Sequence, residues 1–241
     1  MAVAWRDEGL LLSVRRHGEG AAILEVLTEG HGRHAGVAPG GASRKQAPLL
    51  QPGAQLSLEW RARLESHIGS WRVEPLRSRA AALMGDRRAL AAMNAVAALA
   101  LAFLPERMPA PALYARTVAL ADALGTDPDW PAFYALWELE LLRELGFALD
   151  LSRCAATGTT EDLAYVSPKS GRAVSREAGA PWAARLLPLP GLFLGQRSAD
   201  AGSVADALHL TGHFLEAWAA PAFERARPPE ARDRLARLLG A

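Results

Sequence analysis

Near residue 80 the chain changes period, and that break limits what it can fold into more than any other feature. Before it, short apolar runs alternate with glycine-rich turns. GLLLSVRRHGEGAAILEVLTEGHGRHAGVAPGG holds two such runs, Leu10 to Val14 and Ala21 to Leu27, split by His17-Gly18-Glu19-Gly20. Apolar runs bounded by glycine predict strands paired as a hairpin, because glycine takes the backbone angles that tight turns demand. Glu29-Gly30-His31-Gly32 marks a second turn, Arg33 to Ala38 a third strand, and Pro39-Gly40-Gly41-Ala42-Ser43-Arg44-Lys45 a loop. Gln55 to Trp60 alternates with period 2, and Trp71 to Pro75 closes the region. Five short strands in roughly 75 residues predict a small closed barrel, since closure removes exposed strand edges.

Beyond residue 80 the period is helical. Asp86 is placed to cap a helix running to Leu104, and Pro109 and Pro111 suit the first turn of another ending at Gly125. Asp129-Trp130-Pro131 opens a third, whose apolar stripe is Phe133, Leu136, Trp137, Leu139, Leu141, Leu142 and Leu145, with Gly146 as its stop. A loop-rich insert covers about 150–200, followed by a helix over Ser203 to Trp218 and a basic amphipathic tail over Pro228 to Leu239. The expected class is α+β and multidomain: a β-barrel domain over 1–80, then a helical domain over 81–241 that carries the insert.

Composition narrows the setting. Half the residues are hydrophobic, enough for a packed core, and one cysteine excludes a disulfide framework and fits a reducing compartment. MAVAWRDEGLLLSVRR lacks the basic-then-apolar order of a signal peptide. Ala89 to Leu104 is short for a membrane span and is interrupted by Asn94. These features predict a cytoplasmic protein with no membrane partner. Residues 1–80 carry 11 Arg and Lys against 8 Asp and Glu, a mild +3, and the remainder is −2. That excess is a weak pointer to a polyanion.

No catalytic motif emerges. A phosphate loop, a nucleophile elbow and a dinucleotide fingerprint are all missing. His209 and His213 have metal-ligand spacing, but Leu210 stands where a zinc protease needs its glutamate, so surface histidines are expected. His31 and His34 read as a solvated turn. Glu138 and Glu140, beside Trp137, sit at i and i+2 on different helix faces and cannot converge on one substrate. The chain is expected not to be an enzyme.

Binding chemistry is richer. Arg15, Arg16, Arg33, Arg44, Lys45, Arg61 and Arg63, with Arg72 and Arg77, fall at strand ends and in loops, where the cations of a small barrel can line a groove for a phosphate backbone. Trp60 and Trp71 are either stacking faces for bases or core residues, and the residues alone leave both readings open.

EGAAILEVLTEGHGRHAGVAPGGASRK followed by LLQPGAQLSLEW resembles the N-terminal domain of the bacterial RecO family, and WELELLRELGFALDLSRCAATG resembles that family's helix entering a cysteine-led insert. The resemblance implies an OB-fold barrel followed by a helical domain. It also implies a DNA repair and recombination mediator that binds single- and double-stranded DNA and anneals strands. With RecR such a protein helps RecA replace the single-strand-binding protein SSB on gapped DNA, in a cytoplasmic, nucleoid-associated setting. Arg15, Arg33, Arg44 and Lys45 match the family's basic DNA-facing positions. Arg143 and Phe147 are candidates for holding the SSB C-terminal tail. The family's loop often reads VAKGARR where this chain has Val37-Ala38-Pro39-Gly40-Gly41-Ala42, so cations are missing at Pro39 and near Ala42. Each lost phosphate contact flattens the salt slope by roughly 0.7 on single strands, which implies weaker DNA binding. Many relatives hold a zinc with two CxxC pairs. Here Cys154 is followed by Thr157, and the return pair falls near Ser175 and Ala178, so Cys154 is expected to be a relic and zinc absent. Asp162 and Tyr165 are expected to hold the insert instead. The alternative is a protein-interaction scaffold of the repair machinery with little direct DNA contact.

Overall fold

A computed structural model describes residues 3–196 and 201–241, so the last residues of the expected insert, 197–200, lie outside the described residues. Five strands, β1 (Val3–His17), β2 (Ala21–Thr28), β3 (Gly32–Ala38), β4 (Gln55–Ala62) and β5 (Ser70–Arg77), close into a barrel in the order β1-β2-β3-β5-β4. All five expected strands are present. The first is far longer than its apolar run, because its ends are held by pairing rather than by hydrophobicity: Val3 to Leu10 pair with β4 and Gly9 to His17 with β2. The single parallel pairing of β3 with β5, at Val37 and Ser70, completes the circle.

The barrel interior follows alternation along most of β2 and β4. Ala22, Leu24 and Val26 of β2 face inward with Leu56, Leu58 and Trp60 of β4. Alternation fails at Leu10-Leu11-Leu12, where all three side chains are buried. Leu11 belongs to the barrel core, and α2 (Arg87–Phe103) packs against β1. A strand apolar on two faces needs cover on both, and the alanine-rich α2 lets the backbones approach closely. Asp86 caps α2 as expected, accepting from the backbone N–H of Arg88 at 2.7 Å and of Ala89 at 3.3 Å.

Compactness divides the molecule after Thr126, not at the change of period. The short α1 (Ala80–Gly85), α2 and α3 (Pro111–Ala123) therefore form one unit with the barrel. Buried Arg79 donates to the Gly53 carbonyl at 2.8 Å and to Asp122 of α3, and Gln55 of β4 donates to the Tyr114 hydroxyl at 2.8 Å.

The second unit begins at Asp127 and contains α4 (Trp130–Glu144). The insert is more ordered than its composition suggests. β6 (Leu163–Val166), β7 (Ala173–Ser175) and β8 (Leu187–Pro188) form a small sheet, with α5 (Arg176–Gly179) between the last two. α6 (Ala201–Phe214) continues through a π turn, Leu215–Ala219, into α7 (Ala220–Ala222), and α8 (Glu230–Leu238) ends the chain.

Two features of α4 depart from the expected stripe. Phe133 is exposed, whereas Glu138 is completely buried, as is most of Glu140. Glu138 accepts two hydrogen bonds from Arg232 of α8, at 3.0 and 3.1 Å, with one from the Tyr134 hydroxyl at 2.7 Å and one from the Thr211 hydroxyl at 2.5 Å. Arg232 also donates to the Leu208 carbonyl. Gly212 admits that guanidinium, since a Cβ there would meet Arg232 Nη1 at 2.6 Å. Burial pushes the Tyr134 hydroxyl upward and the Glu138 charge adds to it. Burial alone would lower Arg232, but the charge and hydrogen bonds of Glu138 outweigh it and raise the pKa. Removing one member of such a pair strands a charge away from water. Arg232→Met is expected to lower the unfolding free energy by roughly 3–5 kcal/mol in denaturant titrations, and Glu138→Leu/Arg232→Met to recover most of it.

Candidate nucleic-acid interface

The expected DNA-facing cations separate into two groups. Arg15, Arg16, Arg44, Lys45 and Arg63 are exposed and make no ion pair among the described residues. Arg15 and Arg16 end β1, opposite Ile23 and Ala22. Arg44 and Lys45 lie in the turn-rich segment after β3, which is tied to the β1–β2 turn by the Ala42 N–H donating to the Gly20 carbonyl at 3.2 Å. These four therefore share one end of the barrel. Register carries that end further: Arg15 faces Ile23, Ile23 faces Val37, Val37 faces Ser70, and Ser70 faces Arg61. Four strand spacings of nearly 5 Å bring Arg61 and Arg63 within roughly 20 Å along the sheet. The β1–β2 and β4–β5 loops of a small barrel are where oligonucleotides are usually gripped.

Arg61 and Arg33 are not free in the same way. Arg61 donates through Nε to Glu59 at 2.6 Å, and that hydrogen bond holds the Glu59 carboxyl below its usual range. The Arg33 side chain is only 13 % exposed. It donates to the Leu104 carbonyl at 2.8 Å and to Glu25 at 2.7 Å, with Glu106 at 3.5 Å. Its own carbonyl accepts from Arg107 N–H at 2.8 Å. Arg33 thus fastens the 104–107 segment to β3 instead of joining the open basic rim. Among the outlying cations, Arg72 pairs with Glu74 and Arg77 with Asp122.

The tryptophans resolve to core. Trp60 and Trp71 are 1 % and 3 % exposed, and their indole N–H groups donate to the Ile68 carbonyl at 3.0 Å and the Leu24 carbonyl at 3.3 Å. Trp71 lies so close over Gly36 that a Cβ there would meet its Nε1 at 2.5 Å. The partly exposed ring is Trp5, which lies flat on His31 with centroids 3.7 Å apart. Of the two histidines expected in a solvated turn, His31 lies in the turn and is partly exposed, whereas His34 belongs to β3. His31 meets Asp7 Oδ2 at 3.1 Å, and His34 is buried on β3 beside Trp60, centroids 4.6 Å apart. Burial, then the charges of Arg107, His31 and Arg33, lower the His34 pKa to about 4. Sequence reasoning passed over Trp5 and Arg107 and misread His34. The available signal was inward alternation along β3, which puts His34 in phase with buried Gly36 and Ala38.

In the second unit Arg143 is exposed but paired with Glu140, which raises its pKa through their hydrogen bond. Phe147 is half-buried, its ring 6.3 Å from Trp218. His209 is exposed, and His213 lies 3.3 Å from the Pro168 carbonyl.

Cys154 is buried, and the fold brings the expected return position to it: Ser175 Oγ lies 3.5 Å from its Sγ. Burial would raise this thiol, but hydrogen bonds from the side chains and backbone of Ser175 and Thr157 outweigh it and leave a pKa of about 6. One thiolate with two hydroxyls does not fit a tetrahedral zinc site. Among the described residues no group of three or more His, Cys, Asp or Glu is arranged to hold a metal. Asp162 pairs with Arg176 at 3.2 Å, and Tyr165 pairs across the sheet with Val174 and Pro188.

Family models described as Recombination protein O N terminal and Recombination protein O C terminal match residues 1–79 and 84–223. Curated relatives, each named DNA repair protein RecO, include those of Cereibacter sphaeroides strain KD131, 59 % identical over 98 % of both chains, Ruegeria sp. strain TM1040, 57 % over 95 % of both, and Dinoroseobacter shibae, 55 % over 98 % of both. No helix of the described residues is long and apolar enough to cross a membrane.

The His34 shift has a sign. A histidine whose folded pKa lies below the ordinary 6.5 gives stability that is present above pH 6.5 and is lost as pH falls towards 4. Thermal midpoints are expected to drop across that window, and His34→Phe to flatten the drop.

Proposed function

The chain belongs to the RecO family of DNA repair proteins, and from that premise we propose that it binds DNA directly through the open rim of its barrel. One observation carries the reading: five exposed cations, Arg15, Arg16, Arg44, Lys45 and Arg63, with no acidic partner among the described residues, follow one end of the barrel. Neutralising phosphates releases condensed counterions and lowers the repulsion between two strands brought together, which is what annealing requires. The protein needs no chemistry of its own for that. On this reading it is a recombination mediator on single- and double-stranded DNA that works with RecR to let RecA displace SSB, in the cytoplasm at the nucleoid. The SSB tail is taken by the helical part, where Arg143 and Phe147 remain candidates although Glu140 already engages Arg143. The scaffold alternative draws on the internal partners of Arg33 and Arg61 and the uncharged loop at Pro39.

The test is single-strand binding across a salt titration. Arg15→Ala/Arg44→Ala/Lys45→Ala is expected to weaken binding and to reduce the log–log slope by about 2, at roughly 0.7 for each lost contact. An unchanged slope would pass the role to protein partners. We propose further that hydrogen bonds at Cys154 have replaced the zinc of other family members. Protein washed with chelator is expected to hold far less than one equivalent of zinc and to keep its melting temperature.

A further inference from the structure

A cavity of about 280 Å³ opens in the barrel unit, lined chiefly by Trp5, His31, His34, Trp60, Glu65 and Arg107. It adjoins the basic rim, since Trp60 precedes Arg61 on β4 and Glu65 lies in the β4–β5 loop. Trp5 stacks on His31 within 6° of parallel and lies 5.7 Å from Trp60. Arg107 stands over Trp60, its guanidinium carbon 5.8 Å from the ring centroid, and donates to the carbonyls of Glu65 and, at 2.8 Å, His67. Its φ of 63° is unusual for arginine, and the Arg33 clamp holds it there.

Two buried nitrogens in this lining, His34 Nδ1 and Arg107 Nε, have no hydrogen-bond partner among the described residues. Buried polar groups are nearly always satisfied, so a pair of orphans in one cavity points to a missing ligand. The lining selects its chemistry. Aromatic walls offer ring surface, and His34, with its pKa held near 4, is neutral at physiological pH. The single guanidinium is already engaged by the Glu65 and His67 carbonyls, and the one other charged residue of the lining is an acid, Glu65, which disfavours a phosphate. The volume lies just below the roughly 300–1,000 Å³ of pockets for drug-sized molecules and suits one planar ring system.

We propose that this cavity receives a single unstacked nucleobase of a strand whose phosphates follow the rim, and that it prefers a base with an exocyclic amine. The Trp5–His31 stack supplies the ring surface, Glu65 accepts from the amine as carboxylates do from cytosine N4, and His34 and Arg107 meet the base's remaining polar edge. This rests on the DNA-binding reading and adds to it a contact that phosphate neutralisation does not supply.

The experiment compares full-length protein binding to oligo-dC, oligo-dT and an abasic strand of equal length and charge across salt. Stacking of one base predicts oligo-dC bound about tenfold more tightly than the abasic strand, with oligo-dT between. Glu65→Ala, an exposed loop change, is expected to erase the dC over dT preference. Trp5→Leu is expected to erase the base over abasic preference with the salt slope unchanged. Equal binding of base-bearing and abasic strands with a steep salt slope would overturn the pocket and leave the rim intact. Failure of every strand to bind at low salt would overturn both.

Discussion

Burial of β1 on both faces is the constraint on which the first unit is built. Leu11 fills the barrel, and the equally buried Leu10 and Leu12 leave the strand apolar on its other side as well. Without cover on that side, the two leucines would each forfeit roughly 1.5–3 kcal/mol of burial. The helix that follows the barrel therefore packs on β1, and the compact unit runs on to Thr126.

The barrel's functional geometry follows from that docking. Once α2 is set against β1, the chain leaving it at Leu104 runs beside β3, where Arg33 takes the Leu104 carbonyl and returns its own carbonyl to Arg107. Gly32 allows the approach, since a Cβ there would lie 1.9 Å from the Met108 carbonyl oxygen. One arginine expected to meet DNA is thus used to place another over Trp60. The open cations of the rim have no such duty. The uncharged Pro39-Gly40-Gly41-Ala42 turn contributes shape but no charge to that rim.

The second unit is organised by a charge instead of an apolar strand. Glu138 lies on the buried face of α4, held by Arg232, Tyr134 and Thr211, so that α4, α6 and α8 are registered against one another by directional bonds. A buried ion pair adds little net stability over a well-packed apolar substitute, but a mispaired version is costly, and it therefore discriminates between packings. At Cys154 a directional cluster again organises the chain: hydroxyls and backbone N–H groups converge on one sulfur.

The sequence by itself determined the local structure. Glycine-bounded runs and period-2 alternation located the five barrel strands, Asp86 and the prolines located helix starts, and the order of motifs identified the family, because each signal depends only on neighbouring residues. Alternation also contained the position of His34, although two histidines flanking Gly32 looked like a turn. Tertiary structure alone decided which arginines are free, since whether Arg33 meets a phosphate or Leu104 depends on a segment about 70 residues away. It alone buried Glu138 within an apolar stripe, through a partner on α8 that no helical periodicity could indicate. It alone turned Trp60 and Trp71 inward, where Gly69 and Gly36 leave them room, and left Trp5 beside the cavity. Local periodicity specifies which face of an element is apolar, whereas the environment of a charged or aromatic side chain is set by distant chain that packs against it.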